Sequence, residues 1–160
     1  MAMQDFSHSL PMLLYRALAA VMPRFRRIFA SAGLTEQQWR VLRVLWEHEQ
    51  IAHGALSEAT LIPPPSLIGV LDRLAAAGLV ERRRSQSDRR VMQVAATAAG
   101  RALEERLMPE VNAVYGTLRA SLDEPTWRAL ETALGRLIAS ADAGPEQDFT
   151  HANETGENPP

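Results

Sequence analysis

SLIGVLDRLAAAGLVERRRSQSDRRVMQVAA, residues 66–96, changes its hydrophobic period part-way along. Over Ser66–Ala77, the apolar residues Leu67, Val70, Leu71 and Leu74 recur at steps of three and four, which places them on one face of a helix. Gly78 then stands where a helix C-terminus calls for a left-handed residue. Beyond it, Leu79–Arg84 and Val91–Ala95 read as two strands, and Ser85, Gln86, Ser87 and Asp88 between them have turn chemistry. A helix feeding directly into a hairpin is half of a winged helix-turn-helix. The other half has to lie upstream.

It does. Pro63, Pro64 and Pro65 are expected to stop a short helix over about Gly54–Leu61. Ahead of it, Thr35 can cap a helix, Gln38 completes a capping box, and Leu34 and Trp39 occupy the positions of a hydrophobic staple. Trp39, Leu42, Leu45 and Trp46 carry the apolar stripe to about Glu47. Further out, Leu14, Leu18, Val21, Phe25 and Phe29 mark a long helix from Leu10 to about Ser31, bent at Pro23 and ended by Ala32-Gly33. Downstream, Thr97 can cap a helix to about Ala120 with a kink at Pro109. Asp123-Glu124-Pro125 suits the first turn of a last helix, to about Ala139. The expected fold is mainly α: a winged helix-turn-helix DNA-binding region at 34–96, flanking helical segments 1–33 and 97–141 forming a dimerisation region, and a disordered acidic tail at 142–160.

Composition narrows the function. The 160 residues, 46% of them hydrophobic, can bury a core or share one across a dimer. The absence of cysteine excludes a disulfide scaffold, a thiolate metal site and a cysteine nucleophile. No apolar run reaches the roughly 18 residues of a membrane helix, and no secretory signal is visible, so a cytoplasmic location is expected. The formal charge of −2 looks wrong for a nucleic-acid binder, but the segment 142–160 carries five acids and no arginine; without it the charge is +3. All 17 cations are arginine, and five of them fall between Arg82 and Arg90. That cluster is what could meet phosphate.

LTEQQWRVL at 34–42, DRLAAAGLVER at 72–82, DRR at 88–90 and the helix start from Thr97 to Gly100 resemble, in order and spacing, the MarR (multiple antibiotic resistance regulator) family. LTEQQWRVLRVL together with PSLIGVLDRL is similar to the subgroup that represses homoprotocatechuate degradation operons. The resemblance spans roughly residues 10–140. It implies a homodimer whose first and last helices form the interface. It also implies repression of an aromatic-compound catabolic operon, relieved by a small aromatic acid. An efflux or stress-response repressor of the same family is the nearest alternative.

In such a protein the second helix of the motif lies in the major groove, and dimers read half-sites of a pseudo-palindrome about one helical turn apart. The family's wing motif, an Asp and an Arg separated by one residue, is matched by Asp88 and Arg90. A narrow minor groove has an enhanced negative potential, so Arg90 is assigned to it and Asp88 to bracing the loop. Arg82, Arg83, Arg84 and Arg89 are phosphate contacts or flanking charge. On the recognition helix, the face opposite the apolar stripe carries Pro65, Gly69, Asp72, Arg73 and Ala76, with Ser66 and Ile68 on its flanks. Ser66 can bond a base edge or phosphate, Ile68 can touch a thymine methyl, and Gly69 can allow close approach. Arg73 can contact phosphate or pair with Asp72 or a wing acid; the two readings stand side by side. The DNA-contact candidates are therefore Ser66, Ile68, Gly69, Arg73, Arg84, Asp88, Arg89 and Arg90.

For an effector carboxylate the resemblance points to Arg16 on the first helix, where a guanidinium fork can bind bidentately. His8, Trp39, Arg40 and Arg43 are candidates for the same cleft. The competing readings are core packing for Trp39 and a solvated face or ion pair for Arg40 and Arg43. No metal or cofactor is expected: His48 and His53 are five residues apart, which does not align two ligands on a helical face. There is no phosphate-cradling glycine loop, no nucleophile elbow and no defensible catalytic carboxylate pair, so an enzyme is not expected. A winged-helix protein-interaction module remains the rival from another class, favoured by the few hydrogen-bond donors on the recognition helix.

Overall fold

A computed structural model of the chain describes residues 6–84 and 90–142. It divides into two compact units, Met1–Thr117 and Leu118–Pro160. In the first, a 3₁₀ turn at Phe6–His8 leads into α1 (Leu10–Ser31), followed by α2 (Glu36–Trp46), β1 (Ile51–Ala52), α3 (His53–Thr60), α4 (Pro64–Ala76), β2 (Val80–Arg84) and β3 (Met92–Ala96). Helix α5 (Ala98–Ala120) closes this unit, and its last residues open the second, which carries α6 (Glu124–Asp142).

The capping box forms as its residue types dictate. The Gln38 backbone N–H donates to Thr35 Oγ1 at 3.2 Å, and the Thr35 N–H donates to Gln38 Oε1 at 2.9 Å. Two backbone donors that α2 could not satisfy are thereby paired. Leu34 and Trp39, on either side, are both buried. Leu42, Leu45, Leu56, Leu67, Val70, Leu71, Leu74 and Val94 are wholly buried, so α2, α3, α4 and the sheet share one core. Phe25, Ile28 and Phe29 of α1 and Leu103, Leu107 and Val111 of α5 are buried too.

Three features differ from the sequence reading. Helix α4 begins at Pro64, inside the proline run rather than after it, with Pro63 as the cap residue. A first-turn proline lacks an N–H that the helix would leave unpaired anyway, and its φ is already helical. The hairpin has a third strand: β1 pairs antiparallel with β3, Ile51 opposite Val94, and gives the sheet the order β1-β3-β2. Two residues are too few to show a period. Helix α6 runs to Asp142, beyond Ala139; the rest of the acidic tail lies outside the described residues. Pro23 and Pro109 both sit inside helices that run through them.

The base of the hairpin is tied to α5. The Thr97 hydroxyl donates to the Gly78 carbonyl at 2.6 Å and accepts from the Gly100 N–H at 3.1 Å, and the Thr97 N–H donates to the Leu79 carbonyl at 3.1 Å. Gly100 is there for closeness: a Cβ on it would collide with the Leu79 carbonyl oxygen. Trp46 donates its indole N–H to the Gly100 carbonyl at 3.0 Å. Arg101 donates to the carbonyls of Trp46 (2.9 Å) and His48 (2.8 Å), the unpaired end of α2.

In the second unit, Asp123 caps α6, its carboxylate accepting from the Thr126 N–H at 2.7 Å. Hydrogen bonds from the Thr126 side chain and backbone hold this carboxyl below its ordinary value of 3.8. Leu130, Leu137 and Ile138 leave α6 with exposed apolar side chains.

Candidate nucleic-acid interface

Helix α4 is two-faced. Leu67, Val70, Leu71 and Leu74 are fully buried, and Pro65, Ser66, Ile68, Asp72, Arg73 and Ala76 are exposed, with Gly69 between. The connection from α3 turns at Leu61, which adopts a left-handed conformation at φ 53°. The next residue, Ile62, is buried, and the Ser57 hydroxyl donates to its carbonyl at 2.6 Å. That anchor fixes the angle at which α4 leaves α3.

The hairpin is attached to α4 by charge. Arg82 on β2 donates to the Asp72 carboxylate on α4 at 2.6 Å. Asp72 therefore pairs with Arg82 and not with its neighbour Arg73, which has no ion-pair partner among the described residues. Side chains alternate along β2, so Arg82 shares a face with buried Val80 and with Arg84. Arg83 shares the opposite face with Glu81 and bonds it at 2.9 Å. The arginine run thus divides: Arg82 and Arg84 lie on the α4 side, while Arg83 serves an ion pair on the other.

Arg90 is exposed, two residues ahead of β3 in register with β2, where Arg84 pairs with Met92. Asp88 and Arg89 lie outside the described residues.

The effector candidates fall in separate places. His8 ends the 3₁₀ turn and is exposed, and Arg16 is exposed on the first half of α1. Trp39 is only 8% exposed; it stacks on Phe29 with ring centroids 4.4 Å apart and meets Trp46 edge-on at 5.3 Å. It is a core residue with one edge of its stack toward Arg43, whose guanidinium lies 5.9 Å from the Trp46 ring and pairs with Glu47 at 2.9 Å. Arg40 donates to the Thr60 carbonyl at 3.0 Å, while its Nε is buried without a partner. Phe29 follows Arg16 by 13 residues on the same helix, about 20 Å of rise. Within one chain, Arg16 and Trp39 therefore do not meet.

Two contacts gave no signal in the sequence. The Asp72–Arg82 pair spans ten residues and a helix-to-strand turn, and Arg101 reaches carbonyls more than fifty residues away. Both depend on how the elements dock.

Comparison with known proteins decides the identity of the scaffold. The MarR family model matches residues 34–92. The homoprotocatechuate degradative operon repressor of Escherichia coli is 33% identical over 146 residues, 91% of this chain and 98% of that one. This chain belongs to the MarR family. Its structure is similar to that of NadR in complex with 4-hydroxyphenylacetate (TM-score 0.75, 34% identity, 86% of this chain and 97% of that one). It is also similar to the transcriptional repressor CouR bound to a 23-mer DNA duplex (TM-score 0.77, 29% identity, 86% and 98%). As a MarR-family member the chain is a winged helix-turn-helix transcriptional regulator. No helix among the described residues is long and apolar enough to cross a membrane.

Proposed function

We propose that this chain is a cytoplasmic, dimeric repressor of an aromatic-compound catabolic operon, with no catalytic activity of its own, released from DNA by a small aromatic carboxylate. One observation carries the DNA half of this reading. Helix α4 has one face wholly buried and the other open, and an ion pair holds that open face beside the arginine-bearing strand of the wing. In the reading, α4 enters the major groove with Ser66, Ile68, Gly69 and Arg73. Arg84 and Arg89 serve the adjacent backbone and Arg90 the minor groove, with Asp88 bracing the wing loop. Segments 1–33 and 97–141 dimerise, supported by exposed Leu10, Leu13, Leu14 and Leu18 on α1 and by the apolar residues of α6.

For the effector, Phe29, Trp39 and Trp46 form a buried stack with Arg43 at its edge, so an opening there would bring a ring and a guanidinium together. That combination suits a phenyl ring bearing a carboxylate, which would take the place of Glu47 on Arg43. Arg40 would contribute from its place next to Trp39 on α2, and Arg16 and His8 would come from the partner's α1. The relatives' own ligand and operon support this class of effector. Binding shifts the population toward a dimer whose reading heads are wrongly spaced.

The test is binding to the chain's own promoter at controlled salt. Arg90→Ala is expected to lose most of the preference for promoter over random DNA while keeping the fold. Unchanged preference in that variant would favour a protein-interaction module instead. Aromatic carboxylates are expected to raise the melting temperature without turnover, and Arg43→Ala to abolish that rise.

A further inference from the structure

We infer that α4 reads its half-site chiefly through apolar contact, with Ile68 seated against the 5-methyl group of a thymine. The inference rests on the DNA-binding reading above and goes beyond it by naming the base and the atom. Between Pro64 and Ala76 the exposed face offers few polar groups. Asp72 is occupied by Arg82, which leaves the Ser66 hydroxyl and the Arg73 guanidinium. There is no Asn or Gln to bracket an adenine.

Ile68, in contrast, is 50% exposed on the flank of this face. It has no part in the core, and an exposed β-branched residue is not one that a helix selects for its own stability. Its branched side chain holds essentially one χ1 rotamer in a helix, so its methyl groups are placed in advance. The next residue, Gly69, leaves the surface beside it bare: a Cβ there would meet only Arg73 Nη1, at 3.8 Å. The groove floor can therefore come close. Thymine is the base that presents a methyl group in the major groove, so a fixed apolar knob selects it over cytosine.

The experiment enriches duplexes from a random pool with the full-length protein, then replaces each thymine of the selected site by deoxyuridine. That change removes the methyl and keeps the O4 acceptor and the base pair. One thymine per half-site is expected to show about fourfold weaker binding, the equivalent of one buried methyl group, and both together about fifteenfold. Ile68→Ala is expected to melt no lower than the parent, because alanine is the better helix former, to bind more weakly, and to be indifferent to the deoxyuridine at that position. Insensitivity of the parent to every thymine replacement, or the same sensitivity in Ile68→Ala, overturns the inference. A pool from which nothing is enriched overturns the DNA-binding reading itself, and this inference with it.

Discussion

Replacing Gly100 by alanine sets two effects of similar size against each other, and the structure says which prevails. Gly100 lies in the first turn of α5. Alanine there improves helix propensity by about 1 kcal/mol. Against this, the new Cβ would collide with the Leu79 carbonyl oxygen and stand 3.4 Å from the Ala96 Cβ. The colliding atom belongs to backbone leading into β2, so it cannot rotate aside. Relieving the overlap costs about 2 kcal/mol on the scale of an overpacked core. The shift also disturbs the bonds from Thr97 to the Leu79 and Gly78 carbonyls, 3.1 and 2.6 Å long, at about 1 kcal/mol each. The net expectation is a loss of about 3 kcal/mol, or roughly 6–12 °C in melting temperature for a chain of this size. Denaturant and thermal melts at one fixed protein concentration measure it. Gly54→Ala serves as control, because nothing lies within 4 Å of its Cβ position; it is expected to be neutral or stabilising by up to about 1 kcal/mol. A Gly100→Ala protein as stable as the parent would refute the claim that α5 and the hairpin base meet at van der Waals limits.

Thr35→Ala removes the cap of α2 and should cost about 1 kcal/mol in denaturant melts, with Thr35→Ser restoring most of it. The Asp123 carboxyl is held below its ordinary value, so its contribution to α6 is complete above about pH 4 and is lost as the pH falls through the lowered value. Asp123→Ala should accordingly lower stability near neutrality and flatten its decline in acid, seen by helical circular dichroism against pH. Arg73→Ala should weaken binding to specific and random DNA alike and make the salt dependence shallower by about one ion per protomer. A change confined to one base position would instead make Arg73 a reader of sequence.

What could be read from the sequence was local. The Thr35–Gln38 box, the Leu67–Leu74 stripe and the Gly78 cap are each written within a turn or two of helix, and each formed as expected. The proline run misled because the same residue that breaks a helix interior fits its first turn, so α4 starts at Pro64. Strand β1 was invisible because its two residues gain meaning only beside β3. Among the candidate site residues, the exposure of Ser66, Ile68 and Arg73 followed from the stripe by elimination. The partner of Asp72 did not, because choosing Arg82 over Arg73 requires knowing how β2 folds back on α4. The proposed effector cleft is the least legible part: the aromatic stack joins α1 to α2, and Arg16 lies too far along α1 to reach it within one chain.

The stack of Phe29, Trp39 and Trp46 has a practical corollary. Two of the protein's three tryptophans sit in it, edge to face, with the third, Trp127, in the other unit. Indole emission reports the polarity and the ring contacts around it, so two of the three intrinsic reporters stand at this one place. A compound that slides in beside Trp39 will change the colour and yield of that emission with no dye attached. One that docks far from all three indoles is expected to leave the emission unchanged. The regulator therefore carries its own optical readout at the point where its signal is expected to arrive, and a small chemical library can be screened against it in a cuvette before any promoter is known.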